Sequence, residues 1–165
     1  MKLVLVLDNI RSTYNVGAIL RTAEGFGAER VILSGYTPRV HDKNLLPHLR
    51  EKLDKEIHKT ALGAEDMLEI YSSYDIFSDL SKLKDAGWKV VGLENNIQDE
   101  RLVSINSKLD LGEKAVLILG EEVHGIDSKL YELIDTFLEI PMKGKKESFN
   151  VSVAAGIAMY AIMSL

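Results

Sequence analysis

The sequence predicts an α/β fold: a mostly parallel sheet with helices on both faces. Two observations carry this. Short, unbroken apolar runs, such as LVLVL at 3–7 and KAVLILG at 114–120, read as strands buried on both faces. Between them lie helix-period stretches bounded by caps and glycines, and strands alternating with helices give parallel sheets.

In chain order, Leu3 to Leu7 is the first strand, closed by Asp8 and Asn9. Ser12-Thr13 signals a helix start, after which Val16, Ile19, Leu20, Ala23 and Phe26 share one face until Gly25 and Gly27 end it. Arg30 to Leu33 is the next strand, followed by a loop with Gly35 and Pro38. Within 42–70, LLPHLREKLDKEIHK has helical composition and KTALGAEDM reads as irregular connection. IFSDLSKLKDAG is helical to Gly87, WKVVGLEN a strand, LVSINSKLDLGE a polar connection, and KAVLILG a strand. DSKLYELID makes a short helix, TFLEIPM a strand, and a helix from about Ser148 closes the chain. That last helix is apolar on nearly every face, which predicts burial on all sides.

Length and composition narrow the class. At 165 residues the chain reads as one domain, 1–165, with an ordinary apolar fraction of 46% and no low-complexity tract. Without cysteine there is no disulfide framework or thiolate nucleophile, and the N-terminal apolar run is too short for a signal peptide or anchor. The expected location is cytoplasmic, which leaves the Asn150-Val151-Ser152 sequon without meaning. A net charge of −5 argues against a non-specific nucleic-acid coat but leaves room for a local basic site. Residues 38–60 carry six Lys or Arg against four acids, as a solvated helix face or as such a site.

Common fingerprints fail. GFGAER lacks the third glycine of the dinucleotide motif. Glu139 occupies the first glycine position of a P-loop ending at Gly144-Lys145. The four histidines have no metal-ligand spacing, so no metal is expected, and no Gly-x-Ser-x-Gly elbow occurs. The special residues gather instead where the strands end, the ligand side of such sheets: Asp8-Asn9, Leu93 to Asn95, Gly120 to Gly125, and Pro141 to Asn150.

Three of these stretches, NIRSTYNVGAILRTAEGFG, ILGEEVHGI and IPMKGKKESFNVSVAAG, together resemble the signature motifs of the SPOUT-class RNA methyltransferases of the TrmH (SpoU) type. The first matches at Asn15, Gly17 and Arg21-Thr22-Ala23, the second at Gly120, Glu122 and Gly125, and the third at Ile140-Pro141-Met142 and from Ser148 to Ser152. The match spans the chain and is closest to the minimal, single-domain members. It implies a C-terminal trefoil knot, an S-adenosylmethionine cofactor, a homodimer, and RNA (tRNA or rRNA) methylated on a ribose 2′-hydroxyl.

By this resemblance Leu93, Gly120, Ile140, Met142 and Ser148 hold the cofactor, largely through backbone groups. Arg21 is the catalytic residue, supported by Asn15, Glu122 and Asn150. A guanidinium keeps its proton, so Arg21 suits a phosphate clamp and oxyanion stabiliser better than a base. Plainer roles stand beside these: core packing for Leu93 and Ile140, an ion pair with Glu24 for Arg21, helix starts for Asn15, Ser148 and Asn150. Glu121 beside Glu122 departs from the family pattern and adds negative charge beside an RNA site. The rival readings are a non-catalytic RNA-binding or assembly protein on the same fold, and an enzyme methylating a small molecule or a base nitrogen.

Overall fold

The computed structural model describes residues 1–164. Strand β1 (Lys2–Asp8) is its spine, with Leu3 to Leu7 fully shielded from solvent. Leu3, Leu5 and Leu7 join the core on one face of the sheet, and Val4 and Val6 the core on the other, as the two-residue strand period requires. The remaining strands are β2 (Arg30–Ser34), β3 (Ile70–Ser72), β4 (Lys89–Leu93), β5 (Leu102–Ser104), β6 (Lys114–Leu119) and β7 (Thr136–Glu139). They form one sheet in the order β3-β2-β1-β6-β4-β7-β5, with every pairing parallel.

Helices α1 (Thr13–Gly25), α2 (Pro47–Ala61) and α4 (Val151–Met163) contribute to the core on the Leu3 side. Helix α3 (Ile76–Asp85) and the 3₁₀ turn Ser128–Leu133 contribute to the other. Ser12 caps α1, its Oγ accepting the Asn15 amide at 3.2 Å, and Asp75 caps α3 by accepting the Ser78 amide at 3.1 Å. Pro47 opens α2, where a missing amide hydrogen costs nothing. Among the described residues no helix is long and apolar enough to cross a membrane.

Three expectations are corrected, and one strand is added. Ile70–Ser72, for which the sequence carried no assignment, is strand β3, and Leu102–Ser104, inside the expected polar connection, is strand β5. Both are three-residue edge strands, too short to show a period, and their pairing partners are distant in sequence. β5 is held by Arg101, whose guanidinium donates to the carbonyls of Tyr131 and Ile134 at 2.8 and 2.7 Å. The segment at 128–133 is 3₁₀ rather than α-helical, because Asp135 is already locked onto β4 through the Val90 amide and carbonyl. Finally, α4 is not buried on all sides: Ala155, Ala158, Met159 and Ile162 face the core, but Val153 and Tyr160 are 50% and 65% exposed.

Candidate active site

Strands β6, β4 and β7 lie side by side, and their carboxyl ends open into a cleft of about 640 Å³. That volume is within the usual range for a small-molecule site. Leu93, Leu119 and Ile140 supply apolar wall, while Glu94, Asn95, Ser148 and Asn150 supply polar groups. Asn95 ties two of the three strand ends together. Its Oδ1 accepts the Ile140 amide at 3.2 Å and its Nδ2 donates to the Ile140 carbonyl at 3.1 Å. Beside it, Asn96 Nδ2 donates to the Glu147 carbonyl at 3.2 Å and so holds the loop that leads into α4.

The third strand end turns back at once. Glu121 and Gly125 exchange amide-to-carbonyl bonds of 2.9 Å each way. The turn then docks on Glu94, whose carboxylate accepts the Ile126 amide. Gly125 sits at φ 72°, and a β-carbon there would strike the Glu94 carboxylate, so both its conformation and its contact require glycine. Burial foremost pushes the Glu94 carboxyl above its ordinary value, against the lowering effect of the Ile126 and Asn95 amides.

A raised carboxyl pKa means that the folded protein holds this proton more tightly than the unfolded chain. Its contribution to stability is therefore complete below the ordinary value of 4.5 and is lost as pH rises through the raised one. Glu94→Gln keeps an acceptor oxygen for Ile126 and cannot ionise. Its melting temperature is expected to gain on wild type as pH climbs from about 4 to 7. Melting curves that stay parallel over that range would refute the assignment.

Three of the four catalytic candidates meet at the cleft's edge, across more than a hundred residues of chain. Asn15 Nδ2 donates to Glu122 Oε1 at 3.1 Å, and Asn150 Nδ2 donates to Asn15 Oδ1 at 3.2 Å. Asn150 is also the cap of α4, its Oδ1 accepting from the Ser152 amide and hydroxyl at 2.9 and 2.6 Å, so capping and site contact coexist in one residue. Asn15 does not cap α1, since Ser12 does, and its side chain is free for Glu122. Leu93, Gly120, Ile140 and Ser148 all line the cleft.

Asn15, Arg21 and Met142 do not line it, and Asn15 reaches its edge through Glu122 and Asn150. Met142 is half-buried in the loop beyond Ile140. Arg21 is exposed on α1 and has no ion-pair partner among the described residues, so the plain Glu24 bridge does not form.

Sequence reasoning put Glu94 and Asn95 on the rim without a role and passed over Arg11. The roles of the first two carry no local signal and arise because β4 lies between β6 and β7. Arg11 answers the puzzle of Glu121: its guanidinium meets Glu121 Oε1 at 2.6 Å, and His124 Nδ1 lies 2.9 Å from Oε2. The His124 hydrogen bond foremost, with Arg11 adding, holds the Glu121 carboxyl below its ordinary value. Glu121 is thus a partnered charge at this rim.

Fold and cleft together define a parallel α/β protein whose open site lies at the carboxyl edge, where such folds bind cofactor or substrate. Comparison with known proteins makes this particular. The model of the SpoU rRNA Methylase family matches residues 2–160. The chain belongs to that family. It is 33% identical over 158 residues to the 23S rRNA (guanosine-2′-O-)-methyltransferase RlmB of Xylella fastidiosa, covering 96% of this chain and 57% of that protein. The chain therefore spans little more than half the length of that relative.

Two solved structures share the fold. The AdoMet-bound rRNA methyltransferase from Sinorhizobium meliloti matches with a TM-score of 0.78 at 24% identity, over 97% of this chain and 55% of that one. The A. aeolicus TrmH/SpoU tRNA modifying enzyme matches with a TM-score of 0.78 at 23% identity, over 99% and 74%.

Proposed function

We propose that this chain is a cytoplasmic, S-adenosylmethionine-dependent RNA methyltransferase that modifies a ribose 2′-hydroxyl of tRNA or rRNA. One observation carries the proposal: the hydrogen-bonded chain Glu122–Asn15–Asn150 joins three family motifs at the mouth of a single cleft. The curated relative acts on a guanosine 2′-oxygen, and a structural neighbour was solved with AdoMet. The cleft suits that cofactor, since Leu93, Leu119 and Ile140 offer apolar wall for an adenine while Asn95, Ser148 and Asn150 offer polar contacts. When bound, the cofactor supplies an electrophilic methyl on a sulfonium.

The chain's own residues then have to hold the acceptor oxygen in line and stabilise the charge that develops on it. Arg21 is assigned that task, clamping the neighbouring phosphate while the proton passes to phosphate or water. Asn15 and Glu122 position the acceptor side of the cleft, and Asn150 fixes the loop that carries Ser148. Because Arg21 does not line its own cleft, the proposal requires a homodimer in which each guanidinium serves the other subunit's site. The exposed apolar residues Val153 and Tyr160 on α4, with Phe149 just before it, suit burial against a second copy. A C-terminal trefoil knot belongs to the same reading. It is supported by β7 lying between β4 and β5, both earlier in the chain, and by Asn95 and Asn96 clasping the segment that follows β7.

Calorimetry with S-adenosylmethionine and transfer of labelled methyl to bulk tRNA and to ribosomal RNA test the proposal. Saturable cofactor binding and nuclease-resistant label in one RNA pool are expected. Binding of RNA with no transfer to either pool would favour the non-catalytic reading instead.

A further inference from the structure

The carboxyl edge of the sheet holds a second cleft, of about 610 Å³, beside the first. It opens beyond the ends of β1 and β3, on the α3 side, and is lined by Asp8 and Asn9 as well as Tyr74 and Phe77. The turn after β6 separates the two clefts: Gly125 lines the first and Asp127 the second. None of the site residues assigned above lies in it.

Its chemistry is specific. Asp8 is only 3% exposed, yet it has no ion-pair partner among the described residues. Its hydrogen bonds come from the Ser34 hydroxyl at 2.7 Å and Asn9 Nδ2 at 3.2 Å. A carboxylate has about four acceptor sites, so the protein leaves roughly two of them unfilled, and Asp8 forms part of the cleft wall. Burial foremost pushes this carboxyl up, with the nearby Asp127 charge adding and the Ser34 bond opposing. Asp75, Asp127 and Glu132 also line the cleft, against Lys129 as the cation among its lining residues, and Asp75 and Asp127 are already engaged in capping backbone amides. A phosphate is therefore unwelcome inside, and a neutral group with paired N–H donors is favoured.

The walls suit a flat ring. Tyr74 is 78% exposed, with the Arg39 guanidinium 5.0 Å from its ring centroid, and Phe77 is 39% exposed. Beside the lining residues Gly35 and Tyr74 the surface is basic and aromatic. Arg39 also reaches the Gly35 carbonyl at 3.1 Å, and Arg11 lies over the Tyr36 ring at 5.6 Å while bonding Glu121 beside the first cleft. Exposed cation-bearing aromatic rings of this kind stack unpaired bases while the cations meet phosphates.

We propose that the second cleft takes an unstacked nucleobase of the RNA substrate, guanine above the others, with its paired N–H donors on Asp8 and its ring against Tyr74 and Phe77. This rests on the RNA methyltransferase reading and adds to it a base-reading subsite separate from the methyl-transfer cleft.

The test uses anisotropy of labelled single-stranded RNA pentamers: uridines around a central guanosine, inosine or uridine. Inosine lacks the 2-amino group. Wild type is expected to bind the guanosine pentamer about fivefold more tightly than the inosine one, as one lost hydrogen bond implies. Phe77→Ala and Tyr74→Ala, both at exposed positions, are each expected to weaken binding about tenfold or more. Asp8→Asn is expected to erase the guanosine preference. Equal binding of all three pentamers by wild type, or unchanged binding by both aromatic variants, would overturn the proposal whatever Asp8→Asn does to folding. Cofactor binding and methyl transfer are measured on the same preparations. If wild type transfers methyl but the cleft variants bind pentamers as it does, only the subsite fails; if wild type neither binds cofactor nor transfers methyl, the enzymatic reading fails and the pentamers alone decide the subsite.

Discussion

Arg21→Ala is expected to reduce methyl transfer by about 10²- to 10³-fold, the scale of losing one preorganised group that stabilises developing negative charge. Cofactor affinity should stay at the wild-type value, because Arg21 does not line the cleft. Its fold should survive too, since the side chain is exposed and makes no ion pair among the described residues. A mixing experiment separates a role in the same subunit from a role in the partner. Gly120→Ala is the complementary variant, because a β-carbon there would lie 2.3 Å from the Gly125 carbonyl carbon and the Ile126 nitrogen and so displace the cleft wall. In a symmetric dimer with shared sites, each mixed dimer has one intact site. Co-refolding two inactive variants should then restore about a quarter of wild-type activity. No recovery, with mixed dimers shown to form, would remove Arg21 from the partner's site.

Gly17→Ala is expected to be the most damaging single-methyl change in the core. In an ordinary helix interior the same substitution stabilises by about 1 kcal/mol. Here the sign reverses. The new β-carbon would stand 2.2 Å from Thr60 Oγ1 and 2.3 Å from the Ile57 carbonyl oxygen, and so would force α1 away from α2. Overpacking of this severity costs about 3 kcal/mol, a fall in melting temperature of roughly 10 °C for a chain of this size. Adding Thr60→Ala relieves the hydroxyl clash but not the carbonyl clash, so only partial rescue is expected. A variant that melts with wild type would show that the helices part freely, and Gly17 would then need an account outside packing.

Gly17 also illustrates what a motif conceals. It falls between Asn15 and Arg21 in the first signature stretch, yet its contacts are with α2 rather than with the cleft. Asn150 is the reverse case. Its cap role was legible from residue type and position, whereas its bond to Asn15 was not, because the partners are 135 residues apart. Glu121 reads in the sequence as an added negative charge, and in the structure Arg11 and His124 engage it.

Local pattern along the chain was enough for the parallel α/β class, the strands with long apolar runs, the capped helices, and the rim on which the special residues stand. These follow from local periodicity and caps, which act over a few residues and survive in one dimension. The tertiary structure alone decided that β3 and β5 exist and that Glu94 and Asn95 bind the strand ends together. It also decided that α4 keeps Val153 and Tyr160 in solvent, and that Arg21 stands outside its own cleft. Each of those depends on which strand lies beside which, and parallel neighbours are chosen by burial across long crossovers, beyond the reach of any local pattern.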